Sequence, residues 1–516
     1  MSSRYFADCR TLTETLTFHA TGSPDQLAVV TADSELTYAE LDANSNRLAR
    51  VLIDCGVTRG TRVAAIGQED PHYYELLFAV AKAEAVVVPI NWRLSPLEVG
   101  HILNDSGARI LFSDSTVDGI GDALTDQRVI RYDTDDYAGW IAGYSDAPVR
   151  PDTTETDPIA QLYTSGTTGL PKGVVLPQRS FFAIADLIAA AGIDWIDWRD
   201  GDISVVGLPG FHIGGLWWAM QGFRAGITNA VMPHFSGANA LALFTKYQIT
   251  TACMAAAMMQ MLLAEPGVSR RTFTSLRKIV YGGSPISQNL LEQCMLMFRC
   301  DFAQIYGLTE TGNTAVCLPP DQHQLGSPRL LAAGRPYPGV ECRIVAEDGR
   351  SLEPGRVGEV HLRTPARMLE YWNLPEATAE TLSDGWIITG DAGYLDAQGY
   401  LYIHDRIKDM IITAGENVYP AEVENALAAH PVVDDVAVIG VPDERWGEAI
   451  HAFVLPVPGK DVDRRELIDF ARTRLAPFKL PQAYHVVTEI PRNPSGKILR
   501  RELRKSYWSD RERQVN

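Results

Sequence analysis

Long uninterrupted hydrophobic runs are missing from this sequence of 516 residues. A membrane-spanning helix needs about 20 successive apolar residues, and the nearest candidate, residues 78–90, is interrupted by Lys82 and Glu84. The N-terminus lacks the basic start and long apolar segment of a secretory signal. We therefore expect a cytoplasmic protein without an integral membrane segment.

Positive charge and closely spaced cysteines are also scarce. The chain has 46 Lys and Arg against 64 Asp and Glu, a net charge of −18, so a nucleic-acid partner is not expected. None of the seven cysteines forms a C-x-x-C pair, which argues against a metal site or a disulfide framework. Hydrophobic residues make up 46% of the chain, as in a globular protein with a large core.

The first part of the chain alternates helix and strand signals. Residues 36–56 predict a helix, because Thr37 and Glu40 have the spacing of a capping box and Gly56 suits a left-handed helix end. Residues 62–67 predict a strand. Another helix is expected to begin at Ser95, which is followed by proline and, three residues on, by a glutamate.

The middle of the chain continues this alternation. Residues 203–208 and 276–281 are short β-prone runs, and residues 285–298 have helical spacing. This order predicts an α/β architecture in which helices cover the sheets. Residues 341–345 and 358–363 instead predict a pair of antiparallel strands.

The last part has the pattern of a separate small α+β unit. Helices are expected at residues 420–429 and 464–475, and strands at residues 436–441 and 450–455. We place the boundary near residues 405–409.

The strongest chemical signal is the Gly- and Thr-rich segment at residues 163–173, which reads YTSGTTGLPKG. Glycines let the backbone approach a ligand closely, while hydroxyl groups, backbone amides and the ammonium of Lys172 suit a polyphosphate. The spacing differs from that of the common nucleotide-binding loop. Composition alone leaves a flexible turn as an alternative.

This segment resembles the phosphate loop of the adenylate-forming superfamily, which includes acyl-CoA synthetases, 4-coumarate–CoA ligases, luciferases and peptide-synthetase adenylation domains. Further motifs follow in the family's order over nearly the whole chain. The resemblance implies a large N-terminal domain, residues 1–407, of β-sheets layered with helices plus a β-barrel-like subdomain. It also implies a small mobile α+β C-terminal domain, residues 408–516.

The resemblance also implies which residues bind ATP and Mg²⁺. In the motif at residues 306–311, YGLTET, Tyr306 would lie against adenine, Thr309 would contact phosphate, and Glu310 would hold Mg²⁺, for which a carboxylate is a suitable ligand. A core tyrosine and a solvated glutamate are the alternative. The implied ATP- and AMP-binding residues are Thr164, Ser165, Gly166, Thr167, Thr168, Gly169, Lys172, Gly283, Ser284, Pro285, Tyr306, Gly307, Asp391 and Arg406.

Three more residues match the family's hinge, thiol channel and catalytic lysine. Lys408 falls at the hinge position, and Gly415 lies beside the expected pantetheine channel. Lys497, in the motif PSGKI, matches the lysine that stabilises the negative charge that develops on the phosphate oxygens. Together with Glu310, Thr309 and His212, Lys497 forms our predicted catalytic set.

The expected acyl pocket includes Phe211, His212, Gly282 and Gly307. His212 is expected to gate or orient the carboxylate, with a core histidine as the alternative. A histidine rather than an aspartate after Phe211 argues against an amino-acid substrate. The apolar side chains around these motifs favour a hydrophobic carboxylic acid, although such residues are more often core: Phe211, Trp217, Trp218, Met254, Met258 and Met259.

The predicted activity is that of an acyl-CoA synthetase. A carboxylic acid and ATP, with Mg²⁺, would form acyl-AMP and pyrophosphate, and coenzyme A would then accept the acyl group. A ligase that loads a carrier protein is the main alternative, although we see no segment like the insertion that those enzymes often carry. Luciferase-like oxidation and an inactive binding protein are less favoured. The sequence leaves open a homodimer and the effect of Glu370, which replaces the family's usual glycine.

Overall fold

The computed structural model describes residues 9–115, 119–121, 124–164, 171–284, 286–413, 416–443, 445–493 and 496–508. Within these ranges, no helix is both long enough and apolar enough to cross a membrane. The helices are α1 Leu12–Gly22, α2 Tyr38–Asp54, α3 Pro71–Lys82, α4 Pro96–Ser106, α5 Asp135–Ala142, α6 Ala183–Ala190, α7 Ile213–Ala225, α8 Gly237–Lys246, α9 Ala256–Ala264, α10 Gln288–Phe298, α11 Pro375–Thr381, α12 Pro420–Ala428, α13 Arg464–Arg472 and α14 Arg500–Arg504.

The strands follow the same chain order. They are β1 Leu27–Val30, β2 Glu35–Thr37, β3 Arg62–Ile66, β4 Val86–Ile90, β5 Ile110–Ser113, β6 Arg128–Arg131, β7 Pro158–Thr164, β8 Lys172–Pro177, β9 Ile203–Val206, β10 Thr228–Ala230, β11 Thr251–Met254, β12 Lys278–Gly282, β13 Asp301–Tyr306, β14 Val316–Leu318, β15 Arg335–Pro336, β16 Glu341–Val345, β17 Gly358–Arg363, β18 Glu370–Tyr371, β19 Leu382–Ser383, β20 Trp386–Leu395, β21 Leu401–Arg406, β22 Ile411–Thr413, β23 Glu416–Val418, β24 Val433–Asp443, β25 Gly447–Pro456 and β26 Ala483–Val486.

The capping predictions at the start of the chain are confirmed. The Thr37 hydroxyl accepts a hydrogen bond from the Glu40 amide, and the Glu40 carboxylate accepts one from the Thr37 amide. Ser95 and Glu98 make the same reciprocal pair at α4. Helix α2 begins two residues later than predicted, because residues 35–37 pair with β1 as a strand. Gly56 has a φ of +86° just beyond the helix end, as expected of a left-handed terminus.

Two mixed sheets form the large part of the molecule. In the first, the strand order is β15-β14-β13-β12-β11-β9-β10-β1-β2, with parallel pairing from β13 through to β1. In the second, the order is β18-β8-β7-β4-β3-β5-β6, with parallel pairing from β7 through to β6. Both sheets and most of the helices share one continuous hydrophobic core, while α4 packs on the other face of β3, β4 and β5 in a second cluster. The predicted α/β architecture is confirmed.

The two remaining sheets are mainly antiparallel. Strands β16, β17, β20 and β19 form one sheet, with β21 on β20, in the place of the expected barrel-like subdomain. Strands β23, β22, β25 and β24, with β26 on β25, form the other sheet. This last sheet and helices α12 and α13 enclose their own core, which begins at Ile411. The division of the chain at residues 407/408 stays our proposal.

This topology brings the ends of several strands together. Thr164, Gly282 and Tyr306 are the last residues of β7, β12 and β13. In sheets with parallel strands, ligands bind outside the carboxyl ends of the strands. The predicted nucleotide-binding residues of both large sheets therefore lie at the edge where a ligand is expected.

Candidate active site

The predicted phosphate loop is flanked by the end of β7 and the start of β8. Thr164 and Lys172 pair directly across the antiparallel strands β7 and β8. The Lys172 ammonium lies 5.1 Å from the centre of the Tyr371 ring. The predicted loop residues between these strands, Ser165, Gly166, Thr167, Thr168 and Gly169, lie outside the described residues.

A buried carboxylate joins three of the predicted nucleotide-binding residues. One oxygen of Asp391 accepts a hydrogen bond from the Tyr306 hydroxyl at 2.6 Å, and the other pairs with Nε of Arg406 at 2.8 Å. Asp391 and Arg406 face each other across β20 and β21, and Arg406 also donates to the carbonyl of Thr389 at 2.9 Å. The cluster therefore presents a fixed guanidinium, a carboxylate and a tyrosine ring at the end of β13.

Glu310 lies on the short 3₁₀ turn Thr309–Thr311, which follows β13 in the chain. One of its oxygens accepts a hydrogen bond from the Tyr371 hydroxyl at 2.6 Å, and its backbone carbonyl accepts one from the Met368 amide. Thr309 begins the same turn. Sequence analysis missed the role of Tyr371 in orienting Glu310, although the aromatic pair at residues 371–372 lies in the segment of Glu370.

The donor set around Glu310 fits a magnesium ion that is bound mainly by phosphate. Mg²⁺ in nucleotide sites is held by one or two carboxylates, with substrate phosphates and water as the other ligands. Glu310 has a second oxygen beyond the one bonded to Tyr371. No cluster of three or more His, Cys, Asp or Glu side chains that could hold a metal occurs in the part of the chain that the structure describes.

The glycines of the predicted acyl and adenine pockets are sites of close backbone approach. A side chain at Gly307 would collide with the backbone carbonyl of Asn313, and one at Gly282 with that of Ile305. Gly283 has a φ of +81°, a conformation that favours glycine. The hydroxyl of Ser284 is buried without a hydrogen-bond partner among the described residues, and Pro285 lies outside them.

His212 caps the N-terminus of α7. Its Nδ1 accepts a hydrogen bond from the Gly214 amide at 3.3 Å, which leaves Nε2 as the nitrogen that carries the proton. Burial, together with the nearby charge of Lys497, lowers the pKa of His212 to about 4. The imidazole is therefore neutral at pH 7 and can donate, but not accept, a hydrogen bond through Nε2.

Lys497 reaches this site from the small C-terminal unit. Burial, and then the charge of Arg406, lowers the pKa of Lys497 to about 8. The preceding Gly496 faces Ala257 at the start of α9, where a Cβ on Gly496 would be 3.0 Å from that of Ala257. Lys497 thus lies near enough to Arg406, Asp391 and His212 for their charges to act on one another, although it is far from them in the sequence.

The predicted hinge residue, Lys408, stands at the domain boundary that we propose. Lys408 is in a 3₁₀ turn at Ile407–Asp409, and burial lowers its pKa while the adjacent Asp409 raises it, with a net decrease. Gly415, the predicted channel glycine, lies outside the described residues. Glu370 is exposed on β18, where it pairs with Val175 of β8.

Most of the residues that sequence analysis left between core and pocket belong to the core. Trp217, Trp218, Met254 and Met259 are buried in the main core. Phe211 lines two neighbouring cavities, and Met258, which is also buried in the main core, lines one of them. Of the four predicted acyl-pocket residues, Phe211 is the one that belongs to the described lining of these cavities.

Sequence analysis also missed a clamp on the segment before His212. The Glu69 carboxylate accepts a hydrogen bond from the Gly210 amide at 2.9 Å, and the Tyr73 hydroxyl donates to the Gly210 carbonyl at 2.7 Å. Burial raises the pKa of Glu69 to about 7. The partners are 141 and 137 residues apart in the chain, and no local pattern signals such a contact.

Comparison with known proteins agrees with this geometry. The model of the AMP-binding enzyme family matches residues 16–372, and that of the AMP-binding enzyme C-terminal domain matches residues 422–497. The chain belongs to the AMP-binding enzyme family. It is an ATP-dependent, AMP-forming ligase that activates a carboxylic acid as acyl-AMP.

Three relatives of this AMP-binding enzyme illustrate the likeness. A fatty acid–[acyl-carrier-protein] ligase from Streptomyces coeruleorubidus is 54% identical over the whole of both chains. A long-chain-fatty-acid–CoA ligase from Mycobacterium tuberculosis is 35% identical over 95% of this chain and 97% of its own. The structure of o-succinylbenzoate CoA synthetase from Bacillus subtilis, in complex with its acyl-adenylate, has a TM-score of 0.84 at 31% identity and covers 97% of this chain and 99% of its own.

Proposed function

We propose that this enzyme activates a fatty-acid-type carboxylic acid and transfers its acyl group to the phosphopantetheine thiol of an acyl carrier protein. The observation that carries this proposal is the 54% identity, over both full lengths, to a fatty acid–[acyl-carrier-protein] ligase. Coenzyme A, the acceptor predicted from the sequence, is the second candidate. It is favoured by relatives at 35% identity that are named as CoA ligases.

In the first half-reaction, a carboxylate oxygen of the acid attacks the α-phosphorus of ATP. A new phosphorus–oxygen bond forms, the bond to the leaving pyrophosphate breaks, and acyl-AMP results. We assign to the Lys497 ammonium the stabilisation of the negative charge that develops on the phosphate oxygens, since a charge held in a buried site acts strongly. Its proximity to Arg406 and Asp391 supports this role.

The Asp391 cluster is assigned to the nucleoside. Asp391 would accept hydrogen bonds from the ribose hydroxyls, Arg406 would donate to the sugar and phosphate side, and Tyr306 would lie against adenine. Ser284 offers a buried hydroxyl without a partner among the described residues. Thr164, Lys172 and the loop between them would bind the phosphates, with Thr309 as a further contact.

Glu310 is the residue that would hold Mg²⁺, an ion that neutralises polyphosphate charge when it is bound. The hydrogen bond from Tyr371 fixes the carboxylate in one orientation. His212, neutral at pH 7, is assigned to orient the substrate carboxylate through the proton on Nε2. It is not needed as a base, because the carboxylate is itself the nucleophile.

In the second half-reaction, the thiol attacks the acyl carbonyl, and AMP leaves with the former carboxylate oxygen. We propose that the small domain, residues 408–516, rotates at Lys408 so that Lys497 leaves the site and the segment of Gly415 borders the thiol. Residues 1–407 would keep the acyl-adenylate in place. A domain movement of this kind often limits turnover.

The choice of acceptor is tested by direct competition. Purified enzyme is given ATP, Mg²⁺ and a straight-chain fatty acid, with coenzyme A and a phosphopantetheine-bearing carrier protein at equal concentrations, and thioesters are followed by mass spectrometry. We expect acyl-carrier protein to form first. The matched control is the same carrier protein without its phosphopantetheine, which should stay unmodified. Exclusive formation of acyl-CoA would replace this proposal with the second candidate.

Replacing Asp391 with asparagine is expected to raise the KM for ATP by about 10- to 100-fold, the ratio that corresponds to loss of a hydrogen bond to a charged group. The measurement is ATP-dependent pyrophosphate exchange. Asp396→Asn is the matched control, because Asp396 also pairs with an arginine, Arg329, at 2.6 Å but has no assigned contact with ATP. Equal KM values for the two variants would remove Asp391 from the nucleotide site.

A further inference from the structure

The segment before His212 is a tight turn that leads into α7. The His212 amide donates to the Pro209 carbonyl at 2.9 Å, so Gly210 and Phe211 are the two central residues of this turn. The helix begins at the same residue, since the Leu216 amide donates to the His212 carbonyl at 3.1 Å. The position of the His212 side chain therefore depends on how the turn is held.

Residues of the other mixed sheet hold this turn through Gly210. The Gly210 amide donates to a Glu69 carboxylate oxygen at 2.9 Å, and the Gly210 carbonyl accepts a hydrogen bond from the Tyr73 hydroxyl at 2.7 Å. A Cβ on Gly210 would lie 2.6 Å from the Tyr73 ring. The turn follows β9 of the first sheet, whereas Glu69 and Tyr73 follow β3 of the second. These contacts therefore join the two sheets directly before His212.

The residues that hold Gly210 are themselves fixed by packing. Glu69 is buried, and its second carboxylate oxygen accepts a hydrogen bond from the Tyr74 hydroxyl. The Tyr74 ring packs edge-on against Phe223 of α7, with the ring centres 5.3 Å apart, and against the Tyr73 ring at 5.2 Å. Glu69, Tyr73 and Tyr74 thus form a rigid group, the Gly210 clamp, that contacts both the turn before α7 and the helix itself.

We propose that Glu69 is a positioning residue for acyl-AMP formation, which holds His212 in place through Gly210. The inference rests on the proposed function, in which His212 donates a hydrogen bond from Nε2 to the carboxylate of the acid. Such a donor is effective when the surrounding residues hold it within about 0.5 Å of its productive position. Without the Glu69 carboxylate, the Gly210 amide would lose its partner in a buried place, and the turn and His212 would shift.

The experiment is a double-mutant cycle between Glu69 and His212, in which kcat/KM for octanoate is measured by pyrophosphate exchange. Glu69→Ala is expected to lower kcat/KM by about 10- to 100-fold, since a misplacement of about 1 Å can cost that much. The KM for ATP should stay unchanged, because the bonds of Glu69 go to Gly210 and Tyr74 and not to the residues assigned to ATP. In the His212→Ala background, Glu69→Ala should cause no further loss. Additive losses would overturn the inference, because they would show that Glu69 acts independently of His212.

Glu69→Gln distinguishes the hydrogen bond from a general effect on folding. Glutamine keeps an oxygen that can accept from the Gly210 amide and an amide group that can bond to the Tyr74 hydroxyl, so kcat/KM should stay near the wild-type value. A loss as large as that of Glu69→Ala would show that Glu69 does not act by accepting from Gly210. If Glu69→Ala does not fold, Tyr73→Phe takes its place in the cycle, because it removes the bond to the Gly210 carbonyl.

Glu75→Ala is the matched control. Glu75 is also buried on α3, and its carboxylate accepts from the Asn44 side chain at 2.6 Å and pairs with His72 at 2.8 Å. Any loss in Glu75→Ala should be the same with and without His212, and coupling equal to that of Glu69 would overturn the inference. An unchanged kcat/KM in His212→Ala alone would refute the role of His212 and the inference with it. Absence of acyl-AMP with wild-type enzyme and every fatty acid would instead refute the proposed function, and this inference with it.

Discussion

Lys497→Ala is expected to lose acyl-AMP formation by about 10²- to 10³-fold, the usual effect of removing one preorganised charge-stabilising group. Thioester formation from acyl-AMP that is supplied ready-made should be retained, because we assign Lys497 to the first half-reaction alone. The two half-reactions are measured separately, by pyrophosphate exchange and by release of AMP from synthetic acyl-AMP.

The exposed Lys505, on the same small unit, provides the matched control, and Lys505→Ala should keep both rates. A second readout is the pH profile of kcat/KM for ATP. Because the pKa of Lys497 is lowered to about 8, the ammonium is present below that pH and is lost as the pH rises through it. Adenylation by wild-type enzyme should therefore fall above pH 8. Equal loss of both half-reactions in Lys497→Ala would contradict the assignment.

Arg500→Met is expected to weaken the small unit by about 3 to 5 kcal/mol, the typical cost of removing one member of a buried ion pair. Arg500 is buried, and its guanidinium contacts both oxygens of Glu424, at 2.9 and 2.8 Å, and lies 3.5 Å from Asp405. Burial raises the pKa of Glu424 and Arg500 opposes that rise. Without Arg500, these carboxyl groups would lie in the interior without a counter-charge.

The readout for Arg500→Met is hydrogen exchange in β24, since Arg500 donates to the Val438 carbonyl in that strand and Glu424 accepts from the Val438 amide. The free energy of opening should decrease there. Arg501→Met is the matched control, because Arg501 is 75% exposed and lies 3.6 Å from Glu502; exposed pairs contribute about 0 to 1 kcal/mol. Equal protection in both variants would show that the buried pair does not stabilise this unit.

Arg500 also links the small unit to the site. It lies three residues beyond Lys497, and its partner Asp405 is next to Arg406 on β21. The Arg500–Asp405 pair therefore crosses the proposed hinge at Lys408. Loss of this pair should reduce adenylation as well as stability, because it helps to hold Lys497 at the site.

Local signals in the sequence predicted much of the secondary structure. The capping boxes at Thr37 and Ser95 depend on residues three apart, so they can be read without tertiary information. The predicted start of α2 was two residues too early. Residues 35–37 form a strand because they pair with β1, and no local pattern shows that pairing. Helix α10 begins at Gln288, three residues later than predicted, with Ser287 as its cap.

For the candidate site, too, local features could be predicted from the sequence, whereas contacts between distant segments could not. Its motifs were recognisable as contiguous segments. In the structure Tyr306, Asp391 and Arg406 are in direct contact, and Lys497 lies within range of their charges. The contacts that orient them were not recognisable, because they join distant segments: Tyr371 to Glu310, and Glu69 to Gly210.

The most direct test of the central claim follows oxygen from the acid to AMP. The enzyme is given ATP, Mg²⁺, a thiol acceptor and octanoate labelled with ¹⁸O in both carboxylate oxygens. The masses of the nucleotide products are then measured by mass spectrometry. Attack of the carboxylate on the α-phosphorus, followed by attack of the thiol on the carbonyl, predicts AMP that carries one ¹⁸O atom. Unlabelled AMP, or ADP as the nucleotide product, would contradict an acyl-adenylate intermediate.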